Sequence, residues 1–369
     1  MILLTIGSGH RDFRQFLDPK SRRRFAAYGA LARRSYIIAF TGPGFERLLL
    51  ENNVTVFPTN SPSRWLAPFH ALKIGKNIFN EIAADEQILI SAQDPFESGI
   101  VAWFLKLRFR GARLQLQAHT DIFSPYFRQE RWENRIRVWL AKFFLPKADC
   151  IRVVSQRIRR SLLKIGIEDS RITVLPIWSE PSAIARIPGN AGDLRILAVA
   201  RLEREKGVGD GILGFAGFLR RGGKGRLTIV GDGSLRNELE LLTRKLAIAD
   251  NVTFSGWQAD ISPYYASADV FLSTSFYEGW GIAAFDAINS SLPVVMTDVG
   301  LAGEAVLDGV NGLVVPVGDT EAISSALLRL QRERGLSEKL GKAGERKNYE
   351  FADYLKKYES ALEACVPAA

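Results

Sequence analysis

The chain predicts two doubly wound α/β domains in tandem, on three observations. Short runs rich in Val, Ile and Leu alternate with helical stretches along nearly the whole length. Several of these runs are apolar on both faces, and one stretch rich in Ser, Pro, Gly and Ala divides the alternation in two. Strands apolar on both faces are what a parallel sheet covered by helices on both sides requires.

In the first half, residues 2–6, 36–40, 54–57, 87–91, 114–118, 151–155 and 172–176 read as strands, which predicts a Rossmann-like domain over 1–178. Residues 179–193 carry turn formers without periodicity and read as a linker. Strands then resume at 194–200, 227–230, 252–255, 270–274, 293–297 and 312–315, with helices such as 234–246 between them, giving a second domain over 194–345. The tail is helical. Within 346–369, the spacing of Phe351, Tyr354, Leu355, Tyr358 and Leu362 predicts a helix that returns to dock on the N-terminal domain. No short-period repeat occurs, which excludes a solenoid. Paired open sheets bind substrates at the carboxyl ends of their strands, so the site is expected in the cleft between the domains.

The chain has 369 residues, 47% of them hydrophobic, enough for two cores. No apolar run reaches the ~18 to 20 residues of a membrane-spanning helix, and residues 1–30 lack the pattern of a signal peptide, which places the chain in the cytoplasm. Cys150 and Cys365 show no metal or redox spacing. So low a count fits a reducing compartment, and both read as structural bystanders. Charge is divided unevenly. Residues 1–190 hold 29 Lys and Arg against 16 Asp and Glu, a net +13, whereas 191–369 hold 20 against 24, a net −4. A basic half can meet nucleic acid, an anionic membrane surface or acidic substrates, and charge alone does not choose among them.

The segment 197–207, LAVARLEREKG, puts Arg201 and Lys206 between a strand and a helix start. A planar fork and a point charge beside the positive end of a helix form a cradle for a diphosphate, although the same pattern also occurs in solvated loops. The segment 273–286, STSFYEGWGIAAFD, ends a strand loop on Glu278 and opens a helix with glycines, which let a ligand approach the backbone. Asp286 lies about two helical turns past Glu278 and can face the same side.

Together with LTIVGDG at 227–233 and DGVNGLVVP at 308–316, these segments resemble, across 194–345, the retaining glycosyltransferases of family 4, which have the GT-B fold. The joint order and spacing carry the resemblance more than any one piece. It implies two Rossmann-like domains facing a central cleft and transfer of a sugar from a nucleotide diphosphate sugar, with retention of anomeric configuration. The acceptor class it implies is a glycan or a lipid-linked molecule of cell-envelope synthesis. Arg201 and Lys206 would hold the diphosphate, Glu278 the donor sugar, and Gly279, Trp280, Gly281 and Ile282 the sugar and phosphate. Asp286 would stand where the family has the glutamate that binds ribose, one methylene short. Gly233 and Trp257 would complete the donor site, Trp257 lying beside the base. No metal or other cofactor is implied, because two cations and a helix start can do a metal's electrostatic work.

The first half resembles the family more faintly, through GSG at 7–9, AQDPFESG at 92–99 and HTD at 119–121. His119 matches the histidine that reaches the donor sugar. Gly7 and Gly9 would let the diphosphate or acceptor approach, although tight packing of a first loop accounts for them equally well. Neither GPG at 42–44 nor GDG at 231–233 continues into a dinucleotide fingerprint, and no P-loop, zinc cluster or G-x-S-x-G elbow occurs. Three rivals remain: an epimerase or hydrolase of the same fold, a binding protein without turnover, and a nucleic-acid binder. The last has no stacking motif or groove-reading helix behind it.

Finally, Trp132, Ile136, Trp139, Leu140, Phe143 and Phe144 recur at helical spacing, with Arg128, Arg131, Arg135 and Lys142 nearby. Such a stripe either packs under the sheet or dips into an anionic membrane surface, and the sequence leaves both open.

Overall fold

The computed structural model describes residues 1–7, 13–51, 53–82, 86–109, 111–179, 187, 192–333, 335–344 and 350–366. Two compact units form. The first comprises Met1–Phe123, Trp132–Pro176 and Glu350–Ala369, and the second Ser124–Arg131 and Ile177–Tyr349. Most of the linker reading falls outside the described residues, as do 345–349. Residues 124–131, inside the first domain by sequence, group with the second unit.

The first unit holds strands β1 (Ile2–Ile6), β2 (Arg34–Ala39), β3 (Leu48–Leu50), β4 (Val54–Pro58), β5 (Ile88–Ala92), β6 (Arg113–Ala118), β7 (Cys150–Val153) and β8 (Ile172–Val174). They lie in the order β3-β4-β2-β1-β5-β6-β7-β8. All pairs are parallel except β3 on β4, an antiparallel edge that the sequence reading missed because LLL carries no alternation. The helices are α1 (Pro19–Gly29), α2 (Ala67–Asn80), α3 (Glu97–Arg108), α5 (Trp132–Phe144), α6 (Gln156–Lys164) and α13 (Phe351–Glu363). Helix α4 (Pro125–Glu130) groups with the second unit. Crossovers in a parallel sheet are right-handed, so β4 to β5, β5 to β6 and β6 to β7, all advancing the same way, put α2, α3 and α5 on one sheet face. Helix α1, advancing the other way, covers the opposite face.

Helix α13 joins α1 there. Tyr354, Tyr358, Ala361 and Leu362 are buried, and Tyr358 stacks on Tyr28 with ring centroids 4.7 Å apart. Beneath it lies a buried polar network. Arg152 donates from Nη2 to the Tyr354 hydroxyl at 2.9 Å and from Nη1 to Gln117 Oε1 at 3.0 Å, while Gln115 Nε2 donates to the Ala361 carbonyl at 3.2 Å. A charge so deep holds its place by bonds on both sides. Cys150 and Cys365 are corrected from bystanders to partners, since they bond to each other and tie β7 to the end of α13. Their separation of 215 residues puts the pair beyond any reading of local spacing.

Helix α5 turns its aromatic stripe outward. Trp132 and Trp139 are each 64% exposed, and only Asn134, Ala141 and Phe144 of this helix are buried. The packed-stripe alternative therefore fails for Trp132, Ile136, Trp139 and Phe143, whereas Leu140 is half-buried and Phe144 buried.

The second unit holds β9 (Leu194–Val199), β10 (Gly225–Val230), β11 (Val252–Gly256), β12 (Val270–Ser273), β13 (Val294–Thr297) and β14 (Gly312–Val315), all parallel, in the order β11-β10-β9-β12-β13-β14. Its helices are α7 (Val208–Arg220), α8 (Arg236–Lys245), α9 (Ser262–Ser267), α10 (Ile282–Asn289), α11 (Thr320–Arg332) and α12 (Leu336–Gly344). Phe215, Phe218, Ile229, Leu272 and Leu327 anchor one core. Helices α7 and α11 pack closely because Gly214 has no side chain, and a Cβ there would lie 2.4 Å from Ile323 Cγ2.

Leu362→Ala is expected to cost ~2 to 5 kcal/mol through the cavity left under α13, whereas the exposed Glu359→Ala should change stability by less than about 0.5 kcal/mol. Urea unfolding followed by circular dichroism measures both, and equal stability of the two variants would show that α13 is not docked in solution.

Candidate active site

β9 opens the second sheet, the chain builds outward through β10 and β11, and then it returns to lay β12 on the other side of β9. Loops leaving β9 and β12 therefore run apart, opening a crevice at the carboxyl ends of these strands, where doubly wound sheets bind ligands. Both chemistry-bearing segments of the sequence leave from these two strands.

The two loops are fastened to each other at backbone level. Gly207, with φ +58°, begins α7 so close to the β12 loop that a Cβ would lie 2.1 Å from the Thr274 carbonyl oxygen. Thr274 donates its hydroxyl to the Gly207 carbonyl at 2.9 Å, and the Phe276 amide donates to the Glu205 carbonyl at 2.9 Å. The β13 loop adds a third clamp. Thr297 donates to the Ser275 carbonyl at 2.6 Å, and Gly300, with φ +55°, leaves no room for a Cβ beside the Trp280 carbonyl, 2.3 Å away.

This fastening brings Lys206 to Glu278. Lys206 Nζ donates to Glu278 Oε1 at 2.6 Å, with both side chains mostly buried, and the Ser275 hydroxyl donates to the same oxygen at 2.9 Å. Among the described residues no hydrogen bond reaches Glu278 Oε2. Arg201 stands apart from this pair. It donates one Nη2 bond to Glu205 at 2.6 Å, and its side chain is 71% exposed, so most of its guanidinium fork faces solvent.

Past Glu278, Gly279 and Trp280 are buried, Gly281 takes φ +101° at the start of α10, and Ile282 is exposed. The first amides of α10 have no intrahelical acceptor, which makes this start an anion-attracting end. Trp280 packs on Phe285 at 5.6 Å, so its side chain supports the loop from within. Asp286 is largely buried. Burial pushes its carboxyl up to about 6, against the lowering effect of the Ser179 hydroxyl that bonds its Oδ1. Tyr265, whose hydroxyl donates to the Ala283 carbonyl at 3.0 Å, is raised by burial and then by the Asp286 charge.

Gly233 follows β10 in contact with the Arg201 loop, and a Cβ there would lie 2.5 Å from the Leu202 carbonyl. Close packing between two site loops accounts for this glycine without a ligand. Trp257, just beyond β11, is 74% exposed.

In the first unit the switch point lies between β1 and β5. Gly7 ends β1 with φ +92°, and a Cβ would lie 2.6 Å from Ser98 Oγ at the start of α3. Asp94 accepts from the Phe96 and Ser98 amides at 2.8 and 3.2 Å and so caps that helix. Gly7 is thus required by packing, and Gly9 lies outside the described residues. His119 follows β6, with Nε2 2.9 Å from Gln117 Oε1. Arg152 already donates to that oxygen, so the oxygen can only accept and Nε2 carries the proton. Gln117 is held in turn by donating to Ser91 Oγ at 2.8 Å.

Sequence reasoning missed the supporting residues. Tyr277, one residue before Glu278, donates its hydroxyl to Glu130 of α4, and burial, with Glu130 second, raises its pKa. Tyr126 stacks on Phe276 at 5.7 Å and Phe127 meets Tyr277 edge-on at 5.4 Å, so α4 braces the catalytic-loop candidate. Only the aromatic pairs FY at 276–277 and YF at 126–127 hinted at this, and 150 residues of chain separate them.

Comparison with known proteins agrees with this architecture. A family model described as glycosyl transferases group 1 matches residues 180–347, and a glycosyl transferase 4-like domain matches 83–178. The lipopolysaccharide core biosynthesis glycosyltransferase LpsE of Rhizobium meliloti is 33% identical over 118 residues, 32% of this chain and 35% of that protein's length. The alpha-D-kanosaminyltransferase of Streptomyces kanamyceticus is 27% identical over 262 residues, 66% of this chain and 68% of its own. Among solved structures, Anabaena HepE in complex with UDP-glucose superposes with a TM-score of 0.74 at 19% identity, covering 99% of this chain and 100% of that one. At that identity the likeness speaks for the fold, two Rossmann-like α/β units of the GT-B type. The group 1 model spans the whole second sheet and the 4-like model β5 to β8 of the first: the chain belongs to the group 1 glycosyltransferases.

Proposed function

We propose that this protein transfers a sugar from a nucleotide diphosphate sugar to a glycan or lipid-linked acceptor of the cell envelope, with retention of anomeric configuration. The observation that carries this reading is the Lys206–Glu278 pair, fixed at 2.6 Å where β9 and β12 diverge, beside the helix starts at Gly207 and Gly281. A leaving diphosphate gains negative charge as the glycosidic bond breaks. Arg201, Lys206 and the α10 amides, oriented beforehand, stabilise that charge more in the transition state than in the ground state.

Glu278 divides its work between its two oxygens. Oε1 anchors Lys206, and Oε2 accepts from donor sugar hydroxyls. Asp286 likewise uses Oδ1 for Ser179 and offers Oδ2 to the ribose. Trp257 is assigned to the base, and His119, oriented through Nε2 by Gln117, to the donor sugar. With no residue placed as a covalent nucleophile, the acceptor attacks from the face that the phosphate leaves, and that phosphate takes the acceptor proton. No divalent metal is needed, because the two cations carry the electrostatic load. Names of relatives support the class: LpsE serves lipopolysaccharide core synthesis, and HepE holds UDP-glucose.

Three outcomes are expected with a donor found by thermal stabilisation across a panel of nucleotide sugars. Arg201→Ala and Lys206→Ala, both folded, should each lower turnover by ~100-fold, about 2.7 kcal/mol, and near-normal rates in either would remove the phosphate cradle. Turnover should persist in excess EDTA, and the product's anomeric proton coupling should match the donor's. The third outcome concerns pH. Ribose hydroxyls donate to the ionised form of Asp286, so binding lowers a carboxyl that stands at about 6 in the free protein. Donor affinity is therefore full above that pH and declines as pH falls through it. Titration calorimetry should show this decline in the parent and its absence in Asp286→Asn, and a parent affinity flat between pH 5 and 7 would separate Asp286 from the ribose.

A further inference from the structure

The first unit presents large apolar side chains outward on three neighbouring helices of one sheet face. Trp65 and Phe69 stand at the start of α2 at 60% and 69% exposure, Phe104 on α3 at 48%, and Trp132, Trp139 and Phe143 on α5 at 64%, 64% and 43%. The helices are tied together: α2 packs on α3, Trp103 of α3 meets Phe143 edge-on at 6.1 Å, and Arg64 before α2 reaches Glu133 of α5 at 3.6 Å. Leaving such a surface to water is unfavourable, and exposed rings gathered on one face are a feature of interaction sites.

Charge identifies the partner. Along α5, Arg135 and Lys142 fall beside the aromatic stripe on one edge, and neither forms an ion pair among the described residues. Lys73 and Lys76 continue the exposed face of α2 from Phe69, and Lys147 sits 4.2 Å over the Phe143 ring. The one carboxylate of α5, Glu133, is turned to Arg64. A face of Trp and Phe edged by cations, on which Glu97 of α3 and Glu133 of α5 are each paired with an arginine, matches an anionic lipid interface, where aromatic rings sit among headgroups and cations meet phosphates. No helix among the described residues is long and apolar enough to cross a membrane, so contact is in the plane of the surface.

We propose that the outward face of α2, α3 and α5 docks this protein on an anionic lipid bilayer. Docking itself stands on this geometry alone, and it rests on the glycosyltransferase reading only for its purpose, which is to bring the first unit to a lipid-linked acceptor.

The test is sedimentation of the full chain with vesicles of phosphatidylglycerol and phosphatidylcholine in equal parts, and with phosphatidylcholine alone. Binding is expected to the anionic vesicles and not to the neutral ones. High salt should release it, since the screening length shrinks to ~3 Å at 1 M. The double variants Trp132→Ser with Trp139→Ser, and Arg135→Glu with Lys142→Glu, should each lower partitioning by roughly tenfold or more. Both should keep the parent's melting temperature and its stabilisation by nucleotide sugars. Equal binding to both vesicle types, binding to neither, or partitioning unchanged in either double variant overturns the proposal. So does a dimer in analytical ultracentrifugation that Trp139→Ser dissolves, which would assign the face to a second copy. Failure of every nucleotide sugar to stabilise the parent would instead fault the donor reading, and the vesicle result would stand.

Discussion

The second unit of this protein depends on one close approach, the backbone of Gly207 against the Thr274 carbonyl. Without it the loops after β9 and β12 could not share a wall, and Lys206 would not reach Glu278. A parallel sheet supplies the divergence of these loops at its switch point, and the missing Cβ lets them meet again just beyond it. The result is a crevice whose polar groups are already oriented before any ligand arrives. Support comes from side chains that do no chemistry: Thr297 on the Ser275 carbonyl, Trp280 under the loop, and the rings of α4 against Phe276 and Tyr277.

The first unit follows a related plan with different chemistry. Its switch point is closed by Gly7 against Ser98, and its polar groups run inward through Gln117 to Arg152 and the returning helix α13. Helix α13 therefore does more than cover apolar surface. By holding Tyr354 against Arg152, it fixes the oxygen that orients His119, so the last helix of the chain supports a side chain more than 200 residues earlier.

Legibility in the sequence followed the range of each interaction. All six strands of the second sheet and seven of eight in the first could be read, because a strand apolar on both faces writes its environment into consecutive residues. Lys206 and Glu278, which the structure pairs, were singled out by the joint order of their segments and the family resemblance that order carries, whereas Arg201, singled out with them, stands apart. The bracing by α4, the pairing of Cys150 with Cys365 and the Ser179 bond to Asp286 were not, since each joins residues about 100 or more apart with no periodic signal. The stripe on α5 failed in another way. Helical periodicity reports that one face differs from the other, and both a buried and a lipid-facing stripe satisfy it.

The two proposed binding surfaces handle their cations differently, and on those proposals the difference follows from what each must discriminate. In the second unit, Arg201 is paired with Glu205 and Lys206 with Glu278, so a simple anion must compete with a carboxylate already in place. On the proposed reading a diphosphate prevails because it offers several oxygens to a fork, an ammonium and a helix start at once, and the paired state keeps those donors in position meanwhile. On the outward face of the first unit, Arg135 and Lys142 carry no such partner among the described residues. Unpaired cations attract anionic surface over a Debye length without regard to geometry, which suits an interface that presents no fixed oxygen. On the two proposals above, pairing of Arg201 and Lys206 selects a ligand by shape, and the unpaired Arg135 and Lys142 of α5 accept a surface by charge.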